Sequence, residues 1–304
     1  MAAYLIRRFI RQAETSDLEE AIELRAALEL YPPGHPGRPR SLRHLALCLP
    51  DRYESQGVVN DLEEVVTLRR AGLELCPRGH PDHAASLHNL ACDLRKRFTE
   101  EAAISDLEES IELLRPALEL RPPGHDDRFS TLHELALCLS IRYDKLGRVG
   151  DFEEAIMRGR AALDLRPPGH ASRDKPLHHL ACDLRKRFVK QAAIRDLEEA
   201  IELHCAASEL RPSGHLDRSS TLHELALCLS KRYAKLGGVD DLNEAIKLGR
   251  AAPELHPPGY ANRSESLHDL ACDLRRRFVE QAATSDLQEA IELLCPALEL
   301  RLRG

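Results

Sequence analysis

The sequence predicts an all-α fold: a solenoid of antiparallel helix pairs with a period of 45 residues. Three observations predict it. A turn motif recurs as PPGH at Pro32, PRGH at Pro77, PPGH at Pro122 and Pro167, PSGH at Pro212 and PPGY at Pro257, each 45 residues after the last. Between the turns, apolar residues fall at helical spacing. Aromatics make up only 4% of the chain and Trp is absent, so the core must be built from Leu, Ile, Val and Ala. That composition suits helix-on-helix packing better than a β-sandwich. A fixed period of this size marks an array in which each unit packs on its neighbours.

The first helix of each unit, helix A, follows the turn. It starts as SLRHLALC at Ser41, SLHNLACD at Ser86, TLHELALC at Thr131, PLHHLACD at Pro176, TLHELALC at Thr221 and SLHDLACD at Ser266. Leu87, Leu90, Ala91, Leu94 and Phe98 form one apolar stripe along it. Units alternate between the LALC and LACD forms, so the near-identical block is two units long and implies duplication of pairs. Helix B follows, with Leu107, Ser110, Ile111, Leu114, Ala117 and Leu118 on one side. Ser105 with Glu108 has the spacing of a capping box, as do Ser16 with Glu19 and Ser285 with Gln288, which predicts a helix start at each serine. Arg121 is placed in the last turn, where it suits the negative end of the helix dipole. Pro122, Pro123 and Gly124 then end the helix. The chain divides into a partial first repeat, 1–40, and successive repeats 41–85, 86–130, 131–175, 176–220, 221–265 and 266–304, forming one array.

Some positions break the pattern. The first helix B, 17–31, is one residue short. Pro116, Pro253 and Pro296 fall inside B helices and Pro50 inside an A helix, where proline costs about 3 kcal/mol and kinks the helix. The array begins partway through a helix A and ends on a helix B without a polar cap. A fragment of a longer array, end-to-end self-association or weak constraint would each account for this.

DLEEAIELHCAASELRP, 196–212, resembles the second helix of a tetratricopeptide repeat. Ala200, Ile201, His204, Ala207 and Pro212 fall on that repeat's small, apolar, large, small and proline positions; His204 departs from the usual aromatic or apolar residue. Leu87, Leu90, Ala91 and Leu94 match the first helix, with leucine in place of aromatics. The unit exceeds the standard 34 residues, and the extra length is assigned to the A–B connection and to the loop after the turn. This long form resembles arrays in basidiomycete fungal proteins, which often precede a caspase-like CHAT domain. No CHAT domain is present in the chain, so no protease activity carries over. The resemblance implies a right-handed superhelix and a protein-recognition scaffold, with the sensor or regulatory part of a larger CHAT-type or signalling protein as the alternative, and it identifies an architecture better than a function.

The net charge of −7 argues against general nucleic-acid binding. No apolar run approaches a membrane span. The N-terminal MAAYLIRRFIRQAE is too short in apolar residues and charged too early for a secretory signal. Nine cysteines, mostly inside helical patterns, imply reduced thiols and an intracellular, cytoplasmic location. Cys76, Cys205 and Cys295, on B helices or their ends, are expected to pack as small apolar groups.

In tetratricopeptide arrays the A helices line a concave groove. The positions implied here are His88, Cys92 and Arg95; His133, Leu137 and Ser140; His178, Cys182 and Arg185; His223, Leu227 and Ser230; and His268, Cys272 and Arg275. Each set shares one helix face. Arginine pairs well with carboxylates, so the groove is expected to take an extended or helical peptide with some preference for acidic groups. The competing reading is repeat consensus with no selected ligand. The family's carboxylate clamp of lysines and asparagines is missing, because its positions hold His88 and Cys92, or His133 and Leu137.

His-x-x-x-Cys occurs at His88/Cys92, His178/Cys182 and His268/Cys272. A structural zinc needs about four ligands, and no compact ligand cluster is evident, so neither metal nor cofactor is expected. A Cys–His nucleophile would need an orienting group and an oxyanion site. Three copies point to duplication, and no catalytic residue is assigned. RKRF at Arg95 and Arg185 and RRRF at Arg275 are expected to be solvated helix ends.

Overall fold

Apolar stripes at helical period fold here into paired helices joined by alternating short and long connections. The structure, a computed structural model, describes residues 60–254 and 261–301, together with His35, Arg38, Leu42, Leu45, Ala46, Leu47, Leu49 and Tyr53. The helices of the continuous stretches are α1 (Asn60–Glu74), α2 (His83–Glu101), α3 (Ile104–Glu119), α4 (Arg128–Leu146), α5 (Val149–Asp164), α6 (Asp174–Gln191), α7 (Ile194–Glu209), α8 (Arg218–Leu236), α9 (Val239–Glu254), α10 (Ala261–Gln281) and α11 (Thr284–Arg301), with a 3-10 turn at Ala171–Arg173. Even-numbered helices are A helices and odd-numbered ones B helices. The fold is an all-α solenoid of antiparallel helix pairs. The 17–31 helix, the Ser16/Glu19 box, Pro50 and the Pro257 turn lie outside the described residues.

Packing divides the chain into two compact units, 1–158 and 159–304. In the first, α2 packs on α1 and α3, α3 packs on α4, and α2 touches α4. In the second, each helix from α6 to α11 packs on the next, and α8 also touches α6 and α10. The predicted stripes are buried: Leu87, Leu90, Ala91, Leu94 and Phe98 on α2, and Leu107, Ser110, Ile111, Leu114, Ala117 and Leu118 on α3. Each fully buried leucine contributes about 2 kcal/mol.

The A–B connection is only two residues, Ala102 and Ala103 between α2 and α3. The extra length of the unit therefore does not sit there. It is taken up by long helices, 19 residues in α2 and 16 in α3, and by the passage 120–127. Ala102 adopts φ 54° and returns its N–H to the Phe98 carbonyl at 2.8 Å. The equivalent residues are Gly147, Ala192, Gly237 and Ala282, all at positive φ.

Among the described residues, the helices do not start at the serines of the predicted capping boxes. α3 begins at Ile104 and α11 at Thr284, so Ser105 and Ser285 already lie inside their helices. The Ala103 cap makes no side-chain bond. Instead, Asp106 in the first turn is gripped from α2, where Arg97 donates Nε to Oδ2 at 2.7 Å and Nη2 to Oδ1 at 2.8 Å. The same clamp joins Arg142 to Asp151, Arg187 to Asp196, Arg232 to Asp241 and Arg277 to Asp286. The RKRF and RRRF runs are thus not simply solvated ends, because the arginine just before each Phe closes the A–B joint and Arg97 is buried.

At the long connection the turn motif does what its sequence implies. The His125 N–H bonds to the Pro122 carbonyl at 3.0 Å, and Gly124 takes φ +92°, which glycine allows at no steric cost. His125 Nδ1 accepts the Asp127 N–H at 3.1 Å, and His80, His170 and His215 act alike. Arg121 lies past the end of α3 and does not serve its dipole. It is buried, donating to the Asp127 carbonyl and the Thr131 hydroxyl. The carbonyls near the end of α3 are met by Arg128, which donates to Leu118 at 3.2 Å and to Arg121. Arg173 and Arg218 repeat this.

α3 continues through Pro116 to Glu119. Cys76 is buried as expected, but Cys205 is exposed. Cys205 occupies the column of Arg70, Arg115, Arg160 and Arg250, which form ion pairs from one B helix to the next with Glu109, Glu154, Glu199 and Glu289. The side chain of Cys295 lies outside the described residues.

Candidate functional site

Helix periodicity puts His88, Cys92 and Arg95 on one face of α2, and tertiary contacts then decide what each can do. His88 and Cys92 face each other, Nε2 to Sγ 3.5 Å. Burial, then the nearby Arg121 charge, lowers the His88 pKa, and burial raises the Cys92 thiol well above its ordinary value. Arg95 pairs with Glu134 on α4. On α4, His133 and Leu137 are half-buried and Ser140 is buried.

The second unit repeats this on three A helices. His178 and Cys182 lie 3.7 Å apart on α6. Burial, followed by Arg211, pushes His178 down to about 4, and burial raises Cys182 well above the usual thiol range. Arg185 donates to both carboxylate oxygens of Glu224 on α8, at 2.7 and 3.2 Å. His223 Nε2 stands 3.7 Å from Asp269 on α10. Ser230 is buried, donates to Asp273 at 2.6 Å and accepts from Arg276 at 2.6 Å. His268 and Cys272 are half-buried and 3.7 Å apart, and Arg275 is exposed.

Two clefts open on this face of the second unit. One, of about 480 Å³, is lined by Leu227, Ser230, Lys231, Lys235, Cys272 and Arg276 among others. The other, of about 290 Å³, is lined by Arg185, His223, Glu224, Leu227, Lys231 and Asp269 among others. They share Leu227, Lys231 and Asp269. The structure thus brings Arg185, His223, Leu227, Ser230 and Cys272 together around two clefts with shared lining residues.

Sequence reasoning missed three things. Arg95 and Arg185 are already matched by Glu134 and Glu224, each 39 residues on, and Arg276 by Asp273, so the cleft cations outside any salt bridge among the described residues are Lys231 and Lys235. Burial keeps the thiols protonated, with Cys138 and Cys228 pushed up to about 12. Finally, a compact ligand group does exist: Cys182, His204 and Glu224 place ligand atoms within 4.8 Å of one another. Its signal was His204 itself, since the two-repeat interval puts Leu24, Leu114 and Leu294 in the same column. A second group, Asp174, His215 and Asp217, lies toward solvent.

The tetratricopeptide-repeat family model matches residues 83–126 and 177–217. The fold is TPR-like, and its relatives by structure come from fungi and bacteria. The chain is similar to nearly identical TPR-like repeats of a kinesin-light-chain-type protein from Podospora anserina, at 23% identity over 75% of this chain and 98% of that one, TM-score 0.51. It is similar to the C-terminal part of a TPR-repeat protein from Cytophaga hutchinsonii, at 14% identity over 97% and 94%, TM-score 0.56. A chain of the APC/C hetero-tetramer Cut9–Hcn1 matches at 15% identity over 94% of this chain and 52% of that one, TM-score 0.50. No curated protein matches the sequence.

Proposed function

We propose that the chain is a non-catalytic scaffold that binds an extended or helical segment of a partner protein along its A-helix face. The observation that carries this is the pair of clefts between α6, α8 and α10, which share Leu227 and Lys231. Leu227 and the half-buried Cys272 offer apolar surface, while Lys231 and Lys235 supply positive charge at the rim. An acidic segment therefore fits best, because Arg185 is committed to Glu224 while Lys231 and Lys235 line the clefts with no carboxylate in salt-bridge range among the described residues. The protonated thiols argue against a nucleophilic role. The Cut9–Hcn1 assembly is a case of a similar fold held in a protein complex.

Peptide selection from a random display library on the intact chain tests this. Acidic sequences should be enriched on wild type and lost on a Lys231→Glu/Lys235→Glu variant. Equal recovery on both proteins would remove the cleft from the account.

A further inference from the structure

His204 is fully buried on α7, and neither ring nitrogen has a hydrogen-bond partner. A neutral imidazole carries one donor and one acceptor, and leaving both unmet in a core is costly. Leucine fills the equivalent place in the first unit: Leu114 on α3 is buried completely. His204 is therefore a substitution that packing alone disfavours, and its surroundings show what it faces. Its ring meets that of His178 edge-on, centroids 5.3 Å apart. Cys182 Sγ and a Glu224 carboxylate oxygen lie within 4.8 Å of its nitrogen and of each other.

His178 is oriented for the same centre. The Thr221 hydroxyl donates to the Asp217 carbonyl and accepts from Arg211, which leaves it one lone pair for His178 Nδ1–H at 3.4 Å. That tautomer turns the Nε2 lone pair toward Cys182 Sγ, 3.7 Å away. Such a hydrogen bond behind a ring is how ligating histidines are commonly held. Glu224 is held in turn by Arg185.

The geometry points to a divalent-cation site of zinc class, with Cys182, His204 and Glu224 as ligands and His178 Nε2 completing four-coordination. One thiolate, two imidazoles and one carboxylate form a donor set suited to zinc. Bonds of about 2.0–2.3 Å hold neighbouring tetrahedral donors about 3.5 Å apart. The Cys182–His178 pair already stands near that spacing, and Cys182, His204 and Glu224 lie within 4.8 Å of one another, so side-chain rotation has to draw the four donors in around the ion. On coordination the Cys182 proton leaves to solvent. The ion would tie α6, α7 and α8 together beside the clefts as a closed, structural site. The first unit has His88, Cys92 and Glu134 but Leu114 in place of the histidine, so it serves as an internal control.

The test is to titrate the full chain, freed of metal, with zinc against a chromophoric chelator, and with cobalt to read the thiolate-to-metal band. The expected result is one ion per chain, a cobalt–thiolate band and a higher melting temperature with zinc. His204→Leu and Cys182→Ser should each weaken binding by about 100-fold or more, and Cys92→Ser should not. His204→Leu puts in the residue that Leu114 already provides, so the metal-free variant should melt no lower than wild type. Absence of the band, a band that survives His204→Leu, or loss of binding in Cys92→Ser would overturn the site. None of these outcomes depends on the peptide-binding reading.

Discussion

A side chain with a Cβ is strained in the left-handed region, by about 1–2 kcal/mol relative to glycine before unfolded-state entropy is counted. Ala102, Ala192 and Ala282 carry that strain at the end of their A helices, with φ of 54°, 56° and 53°. Gly147 and Gly237 hold the same place in the alternate repeats without it. Their backbone bond is the same in kind: Gly147 N–H reaches the Tyr143 carbonyl as Ala102 N–H reaches that of Phe98. Ala102→Gly should therefore stabilise the protein by about 1 kcal/mol, and Gly147→Ala should destabilise it by a similar amount. Urea denaturation of the two variants measures both. A loss of stability in Ala102→Gly would mean that the alanine methyl makes packing contacts that outweigh the strain.

At the level of the helix pair, the joint between A and B is polar. Arg97 and Asp106 have side chains only 10% and 6% exposed, and their contact is bidentate. Removing one partner strands the other in the core. Arg97→Met should cost about 3–5 kcal/mol, while Arg97→Met with Asp106→Leu should return to within about 1–2 kcal/mol of wild type. A cost below about 1 kcal/mol for the single variant would show a water-exposed pair instead. The two kinds of element contact differ in how far the sequence reveals them. The stripe from Leu87 to Phe98 is legible because burial on one helix face imposes a 3.6-residue rhythm on a single segment. The clamp joins residues nine apart across a helix break, and the Arg95–Glu134 pair joins residues 39 apart across a repeat, so neither has a local rhythm. Serine followed three residues later by glutamate suggested a cap at Ser105, but the helix starts two residues earlier, after Ala103, and is anchored by the buried Asp106 in its first turn. The signal that was available is recurrence: arginine before Phe or Tyr, then aspartate, in every repeat from Arg97 to Asp286.

Across the molecule, the 45-residue beat made the architecture legible, because a repeating unit must bury its stripe against copies of itself. The candidate cleft was only half legible. Leu227 and Ser230 on α8 and Cys272 on α10 each follow from the geometry of their own helix, but Lys231, Lys235 and the pairing of Arg185 depend on how α6, α8 and α10 are offset. His204 was visible only as an exception, since nothing local says that Cys182 and Glu224 flank it. The same nearest-neighbour packing governs how damage spreads. α3 packs on α2 and α4, while α10 packs on α9 and α11. Stability in such an array is a sum of unit and neighbour terms, and opening is local. Leu107, fully buried on α3, is a suitable lesion. Leu107→Ala removes about 2–5 kcal/mol of core packing. Amide hydrogen exchange should then speed up across α2, α3 and α4 while protection in α10 and α11 stays at its wild-type level. A globular core would transmit the loss to every slow amide, so faster exchange throughout α10 and α11 would show that the chain unfolds as one body.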